Sequence, residues 1–137
     1  MKNPETIAQR AFPAPLLNPE NQAWFEAAAE ERLMYRHCAA CSRAHHPPRS
    51  ICPYCHSDRI AWRVSSGLGT VYSSSTLRRG VTVPYCIAYV TLDEGVTMLT
   101  NLLGFGSGTP AIGTRVRVRF VLAEGGAKIP VFSNIVD

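Results

Sequence analysis

The sequence predicts a mainly β protein: an N-terminal helix, a small cysteine-ordered ribbon and a closed five-stranded barrel. Three observations carry this. Two C-x-x-C pairs, Cys38/Cys41 and Cys52/Cys55, stand ten residues apart. Between His37 and His56 there is neither a helical nor a strand period, so something other than a hydrophobic core must order that stretch. Beyond Trp62 the chain turns to short alternating segments punctuated by Gly and Pro, the pattern of successive strands.

Residues 1–17 carry Pro4, Pro13 and Pro15 without periodicity and read as an arm, flexible or draped over the surface. A helix is expected next. Asn18 suits the cap, Pro19 the first helical position, and QAWFEAAAEERLMY continues with strong helix formers to about Tyr35. Trp24, Phe25, Ala28, Ala29 and Leu33 fall along one side, opposite Glu26, Glu30 and Arg32. This divides the chain into arm and helix (1–36), ribbon (37–61) and barrel (62–137).

Within the barrel segment WRVSSGLGTVYSSSTL reads as one long strand bent near Gly67 and Gly69, followed by PYCIAYVTL and VTMLTNLLGF. Asp93-Glu94-Gly95 supplies the hairpin turn between the last two. TRVRVRFVL alternates, with Val116, Val118 and Phe120 on one face and Arg115, Arg117 and Arg119 on the other, and PVFSNIV is the fifth strand. Five strands in about 75 residues, the first free to bend at glycines, fit a barrel of the OB type.

The cysteine spacing points to metal. Each C-x-x-C presents two thiolates from one tight turn, and two such turns complete the tetrahedral four-sulfur shell that Zn²⁺ prefers. Cys38, Cys41, Cys52 and Cys55 are therefore the expected ligands of one zinc ion, whose binding would supply the ribbon's folding free energy. Four protein ligands leave no open position, so the ion is expected to be structural. His37, His45, His46 and His56 lie in the same window. They read as exposed loop residues or as hydrogen-bond partners behind the ligands, with ligand exchange or proton chemistry as the alternative. Cys86, in an apolar run without an activating neighbour, reads as a buried thiol.

The composition excludes other classes. The chain of 137 residues carries 14 basic against 10 acidic side chains, a net charge of +4, and 12 of the basic residues are Arg. No segment is apolar enough for a signal peptide or a membrane span, which makes a cytoplasmic protein the expectation. Gly104-Phe105-Gly106-Ser107-Gly108 lacks a following helix and reads as an interstrand loop rather than a phosphate cradle. No nucleophile elbow or zinc-protease helix is present, and no catalytic constellation can be assembled. Catalytic residues are thus expected to be absent, leaving binding or scaffolding as the role.

In order along the chain, Trp24-Phe25, Leu33, Cys38-x-x-Cys41, Pro47-Pro48-Arg49, Cys52-Pro53-Tyr54-Cys55 and Ser66-Gly67-Leu68-Gly69-Thr70-Val71-Tyr72-Ser73 form a recognisable series. Pro84-Tyr85, Asp93-Glu94-Gly95, Ile112-Gly113 and Pro130-Val131-Phe132 continue it. The series resembles the zinc-ribbon OB-fold proteins that accompany thiolase-type enzymes in acyl-CoA metabolism. That resemblance implies a rubredoxin-like ribbon, an OB barrel and an accessory subunit that helps a thiolase-fold partner assemble and covers or completes a coenzyme A site. The family's partners include thiolases, acyltransferases, hydroxymethylglutaryl-CoA synthase assemblies and side-chain aldolases. On this reading Arg78 and Arg79 would pair with the phosphates of a coenzyme A thioester, or else form a solvated face. Trp24 and Phe25 would anchor the partner, or else pack on the chain's own ribbon. The alternative is a single-stranded nucleic-acid-binding module. Serine- and threonine-rich strand faces and only two lysines speak against it.

Overall fold

The computed structural model describes residues 11–81, 83–105 and 108–135. Helix α1 (Gln22–Ala29) is followed by β1 (Met34–Cys38), β2 (Ala44–His45) and β3 (Ile60–Val64). The strands β4 (Leu68–Leu77), β5 (Tyr85–Leu92), β6 (Thr97–Leu103), β7 (Arg115–Leu122) and β8 (Lys128–Asn134) come after. The first three strands form an antiparallel sheet of order β2-β1-β3, and the other five close into a barrel of order β4-β5-β6-β8-β7. Every barrel pairing is antiparallel except β6 with β8, which is parallel because β7 intervenes in sequence.

The helix is shorter than the expected run from Pro19 to about Tyr35. Asn18 and Asn21 first build a turn in which the Asn18 carboxamide oxygen accepts from the backbone N–H of Glu20 and Asn21, each at 2.9 Å. The helix stops at its other end because Glu31 takes a left-handed φ of 60°. The N–H groups of Glu31 and Arg32 then donate back to the carbonyls of Ala28 and Ala27, the Schellman closure. Leu33 and Tyr35 are released into extended backbone and buried on the barrel side, which outweighs their helix propensity. Ala27, not Ala29, completes the buried face with Trp24 and Ala28.

The expected long first strand is two strands in two different sheets. Ile60–Val64 pairs with β1 along its whole length, from Cys38↔Ile60 to Met34↔Val64. The break falls at Gly67, which has φ 82° and whose added Cβ would stand 2.5 Å from Val118 Cγ1. Gly69 lies inside β4 and interrupts nothing. Its hydrogen faces Val90, where a Cβ would meet Cγ1 at 2.7 Å, so its small size serves strand approach.

One core runs through both parts. Val71, Ala88, Val90, Leu92, Met98, Leu102, Val116 and Phe132 fill the barrel and continue into Trp24, Leu33 and Tyr35. Arm residue Phe12 enters a second cluster with Ala123 and Val131, and its carbonyl accepts from Glu124 N–H at 2.8 Å, so this part of the arm is draped. Residues 1–10 lie outside the described residues.

The turn Asp93-Glu94-Gly95 lies between β5 and β6 as expected, but its acids have work beyond the turn. Glu94 accepts from Ser65 Oγ at 2.6 Å and from Ser66 N–H at 2.8 Å, gripping the connection between β3 and β4. Burial raises its pKa, yet the bonds from Ser65 and Ser66 outweigh this and hold the carboxyl below the ordinary value of 4.5. A depressed carboxyl contributes stability above the unfolded pKa and loses it as pH falls through the folded one. Glu94→Gln is therefore expected to cost about 1–2 kcal/mol at pH 7. It should also flatten the loss of stability between neutrality and pH about 3, read by urea denaturation across pH. An unchanged acid limb in the variant would remove Glu94 as its cause.

Candidate metal centre

The two C-x-x-C turns are built alike. Cys38 ends β1, Ser42 N–H donates to Cys38 O at 2.9 Å, and Cys38 N–H donates to Arg43 O at 2.9 Å. In the second turn His56 N–H donates to Cys52 O at 3.0 Å, and Cys52 N–H to Ser57 O at 2.9 Å. Ser42 and His56 occupy equivalent places, each with a left-handed φ, 61° and 66°. A bond from Ala39 N–H to Arg59 O, 2.9 Å, ties the first turn to the residues entering β3.

This geometry brings all four sulfurs within 4.8 Å of one another. Cys38 Sγ lies 3.6 Å from Cys55 Sγ, and Cys41 Sγ 3.6 Å from Cys52 Sγ. Cys38 and Cys52 are fully buried, Cys41 is half-buried and Cys55 is exposed, so the cluster opens to solvent on one side only. Backbone donation from Cys41 N–H draws the Cys38 pKa down. At Cys52 burial opposes ionisation, but donation from Cys55 and Tyr54 N–H brings the thiol down to about 7. Burial pushes Cys41 up to about 12. Cys55 is also raised, the donation from Ser57 being outweighed by burial and by Cys38. Two thiolates are favoured by backbone donation and two are opposed by burial and by their thiol neighbours, so the four sulfurs cannot all ionise unaided. A divalent cation at their centre resolves that conflict, and a soft four-sulfur donor set suits Zn²⁺. Among the described residues this is the only such grouping of His, Cys, Asp or Glu.

His56 is an exposed loop residue as expected, whereas His45 and His46 are not. None joins the sulfur cluster. His45 belongs to β2, pairs with Arg36 across the sheet and is 3% exposed, so it is a buried strand residue and not a loop residue. His46 packs its ring 5.4 Å from that of Trp24, and burial pushes its pKa down to about 4. Both are therefore neutral packing groups near pH 7.

Trp24, expected either to anchor a partner or to pack on the chain itself, packs on the chain: it is 7% exposed in the core, where its indole N–H donates to Met34 O at 2.8 Å. The burial and the satisfied N–H leave it no face for a partner. Phe25 is half-buried with its edge against Trp24 at 4.8 Å. Arg78 and Arg79 follow the last residue of β4 and are exposed, remote in sequence from the cysteines. Cys86 is buried on the inner face of β5, as expected. Gly106 and Ser107 of the glycine loop lie outside the described residues. No helix among the described residues is long and apolar enough to cross a membrane.

Sequence reasoning missed an exposed apolar group on the outer face of the barrel: Tyr72, Tyr89 and Leu99 are 67%, 48% and 57% exposed. The alternation of PYCIAYVTL signalled Tyr89, since Cys86, Ala88, Val90 and Leu92 turn inward. The bulge between Val71 and Ser73 that leaves Tyr72 outside the pairing carries no comparable signal.

Residues 25–61 match the family model for the ChsH2 rubredoxin-like zinc ribbon domain, and residues 62–121 the model for the ChsH2 C-terminal OB-fold domain. The chain is 36% identical over 124 residues to a probable enoyl-CoA hydratase alpha subunit of Thermomonospora curvata, covering 88% of this chain and 39% of that protein. It is 32% identical over 128 residues to the 3-oxo-4,17-pregnadiene-20-carboxyl-CoA hydratase alpha subunit of Mycobacterium tuberculosis, covering 87% and 40%. The chain thus spans about two fifths of these curated relatives. Among solved structures, the Ltp2-ChsH2(DUF35) aldolase includes a chain that matches at TM-score 0.78 and 35% identity, covering 90% of this chain and all of that one. A protein of unknown function from Sulfolobus solfataricus shares the fold at TM-score 0.59 and 18% identity, covering 74% of this chain and 78% of that one. With the ribbon, the barrel and the four cysteines in the matching order, the chain belongs to the ChsH2 (DUF35) family of zinc-ribbon OB-fold proteins.

Proposed function

We propose that this chain is a noncatalytic accessory module of an acyl-CoA enzyme, seated on a thiolase-fold subunit that supplies the catalytic groups. One observation carries the reading: the solved relative covered over its whole length is named as one component of an aldolase, and the curated relatives are named as alpha subunits of hydratases. The residues of this chain support it. The sulfur cluster has four protein donors and no position left for substrate, so Cys38, Cys41, Cys52 and Cys55 would hold one Zn²⁺ as a cross-link. When bound, the ion neutralises the thiolates and fixes the two turns to each other. Arg78 and Arg79 stand exposed where β4 leaves the barrel and would pair with the phosphates of a coenzyme A thioester held at the partner interface.

Copurification from the native source, followed by acyl-CoA assays of the complex and of the isolated chain, tests this. A thiolase-fold subunit should copurify, and turnover should require it. Arg78→Glu with Arg79→Glu should raise the complex's KM for acyl-CoA severalfold while subunit association persists. Acyl-CoA turnover by the isolated chain, or a stable complex with no thiolase-fold component, would overturn the reading.

A further inference from the structure

We infer that the four-sulfur centre is a peroxide-responsive switch: Cys55 is the sulfur that a hydroperoxide reaches first, and oxidation replaces the metal cross-link by disulfides that run across the two turns, Cys55 to Cys38 and Cys41 to Cys52. The inference rests on the zinc assignment and not on the identity of the partner.

Burial divides the four sulfurs into two that a reagent can reach and two that it cannot. Cys55 is exposed and Cys41 half-buried, whereas Cys38 and Cys52 are fully buried. Oxidation of a thiolate follows its access to the oxidant, so attack begins at Cys55. Each reachable sulfur has a shielded one at hand. Cys55 Sγ lies 3.6 Å from Cys38 Sγ, and Cys41 Sγ lies 3.6 Å from Cys52 Sγ. Both pairs join one turn to the other, so an oxidised Cys55 meets its resolving sulfur without any unfolding.

The Cys55 thiolate attacks hydrogen peroxide and breaks its O–O bond, becoming a sulfenic acid as hydroxide departs. The Cys38 thiolate then attacks that sulfur, expels a second hydroxide and forms the disulfide. Two thiolates have lost two electrons, and the peroxide has gained them. A second peroxide carries Cys41 and Cys52 through the same steps. Four thiolates and two peroxides thus yield two disulfides and four hydroxides, and no thiolate is left to hold Zn²⁺, which passes to solvent.

Contacts that involve no sulfur keep the turns aligned during this exchange. The Arg43 guanidinium lies 4.9 Å over the Tyr54 ring, Ala39 N–H donates to Arg59 O at 2.9 Å, and Cys38 pairs with Ile60. Each of these crosses from the first turn to the second or to the residues that follow it. Because cross-turn disulfides tie the turns together as the ion did, a thiol reductant and zinc can return the centre to its first state. Disulfides within the turns, Cys38 with Cys41 and Cys52 with Cys55, would tie nothing together. Cys86, 7% exposed on the inner face of β5, is shielded from the same reagent.

The test treats the full chain, its zinc content measured first, with hydrogen peroxide beside a chromophoric zinc indicator. Differential alkylation and tandem mass spectrometry map the disulfides. About one zinc ion per chain should be released in step with thiol loss. A linkage of Cys38 to Cys55 should precede one of Cys41 to Cys52, Cys86 should stay reduced, and dithiothreitol with Zn²⁺ should restore the metal. Cys55→His keeps three sulfurs and adds an imidazole, a shell that zinc also accepts, and should slow release about tenfold or more. Cys86→Ser should leave the rate unchanged. If Cys55→His does not hold zinc, the order of disulfides in the unsubstituted chain decides alone. A first disulfide within one turn, unchanged release from zinc-loaded Cys55→His, or zinc retained under peroxide overturns the switch and leaves the zinc assignment standing. A chain that carries no zinc after purification from zinc-supplemented medium overturns both.

Discussion

Replacing Cys52 by Ser is expected to leave the ribbon unfolded at neutral pH, with zinc falling from about one ion per chain to a small fraction. Cys52 is fully buried, and its sulfur both accepts from Tyr54 N–H at 3.4 Å and faces Cys41 at 3.6 Å. The serine hydroxyl is a poor ligand, and no hydrophobic core backs the turns. Residues 39–43 and 49–59 are, apart from Cys52, exposed or only half-buried, so the bonds to the ion must replace the missing burial. Structural Zn²⁺ contributes about 10–16 kcal/mol in comparably small ribbons, far beyond what the strands β1–β3 could make up alone. Metal analysis of the purified variant, together with amide exchange across residues 36–62, reads the effect. Cys86→Ser, which changes the one cysteine outside the cluster, should keep the metal. Full protection of the ribbon in Cys52→Ser, or in protein stripped by a strong chelator, would refute the metal assignment.

Phe132→Ala is expected to be the most damaging single truncation in the barrel, at about 3–5 kcal/mol. The ring is 0% exposed, and its strand position pairs with Leu102 on one side and Val118 on the other, at the parallel seam that closes the barrel. It also belongs to the same cluster as Trp24 and Tyr35, so the void would be felt by α1 and β1 as well. Against a total of about 5–15 kcal/mol for a natural domain, a loss of this size leaves little margin. Leu122→Ala on the exposed end of β7 should change stability by no more than about 0.5 kcal/mol. Urea midpoints for the two variants decide the matter, and a cost below about 1 kcal/mol for Phe132→Ala would mean that the cavity collapses.

The centre and the barrel were readable from the sequence because each rests on a local rule. Cys-x-x-Cys is a turn that aims two sulfurs one way, and the alternation of Val116, Val118 and Phe120 against three arginines is a strand with one face inward. The end of the helix was not readable, because a left-handed Glu31 has no sequence signature of the kind a glycine provides. Tertiary burial of Leu33 and Tyr35 then decided for a strand against good helix formers. The division of the presumed long strand also depended on partners: Trp62 pairs with Arg36 and Gly69 with Val116, which no local pattern distinguishes. His45 illustrates the same limit, since polarity suggested an exposed role for a residue that the sheet turns inward.

Only Ser65, Ser66 and Gly67 separate the strands of the two sheets, and each is held: Ser65 N–H by Leu33 O at 2.8 Å, Ser66 N–H by Glu94, and Gly67 O by Val118 N–H at 2.8 Å. A joint of three pinned residues leaves little inter-sheet freedom to be frozen when another protein binds both parts. Whatever grips the ribbon and the barrel together therefore meets a preset angle, and the entropic cost of association falls on the incoming surface and not on a hinge within this chain.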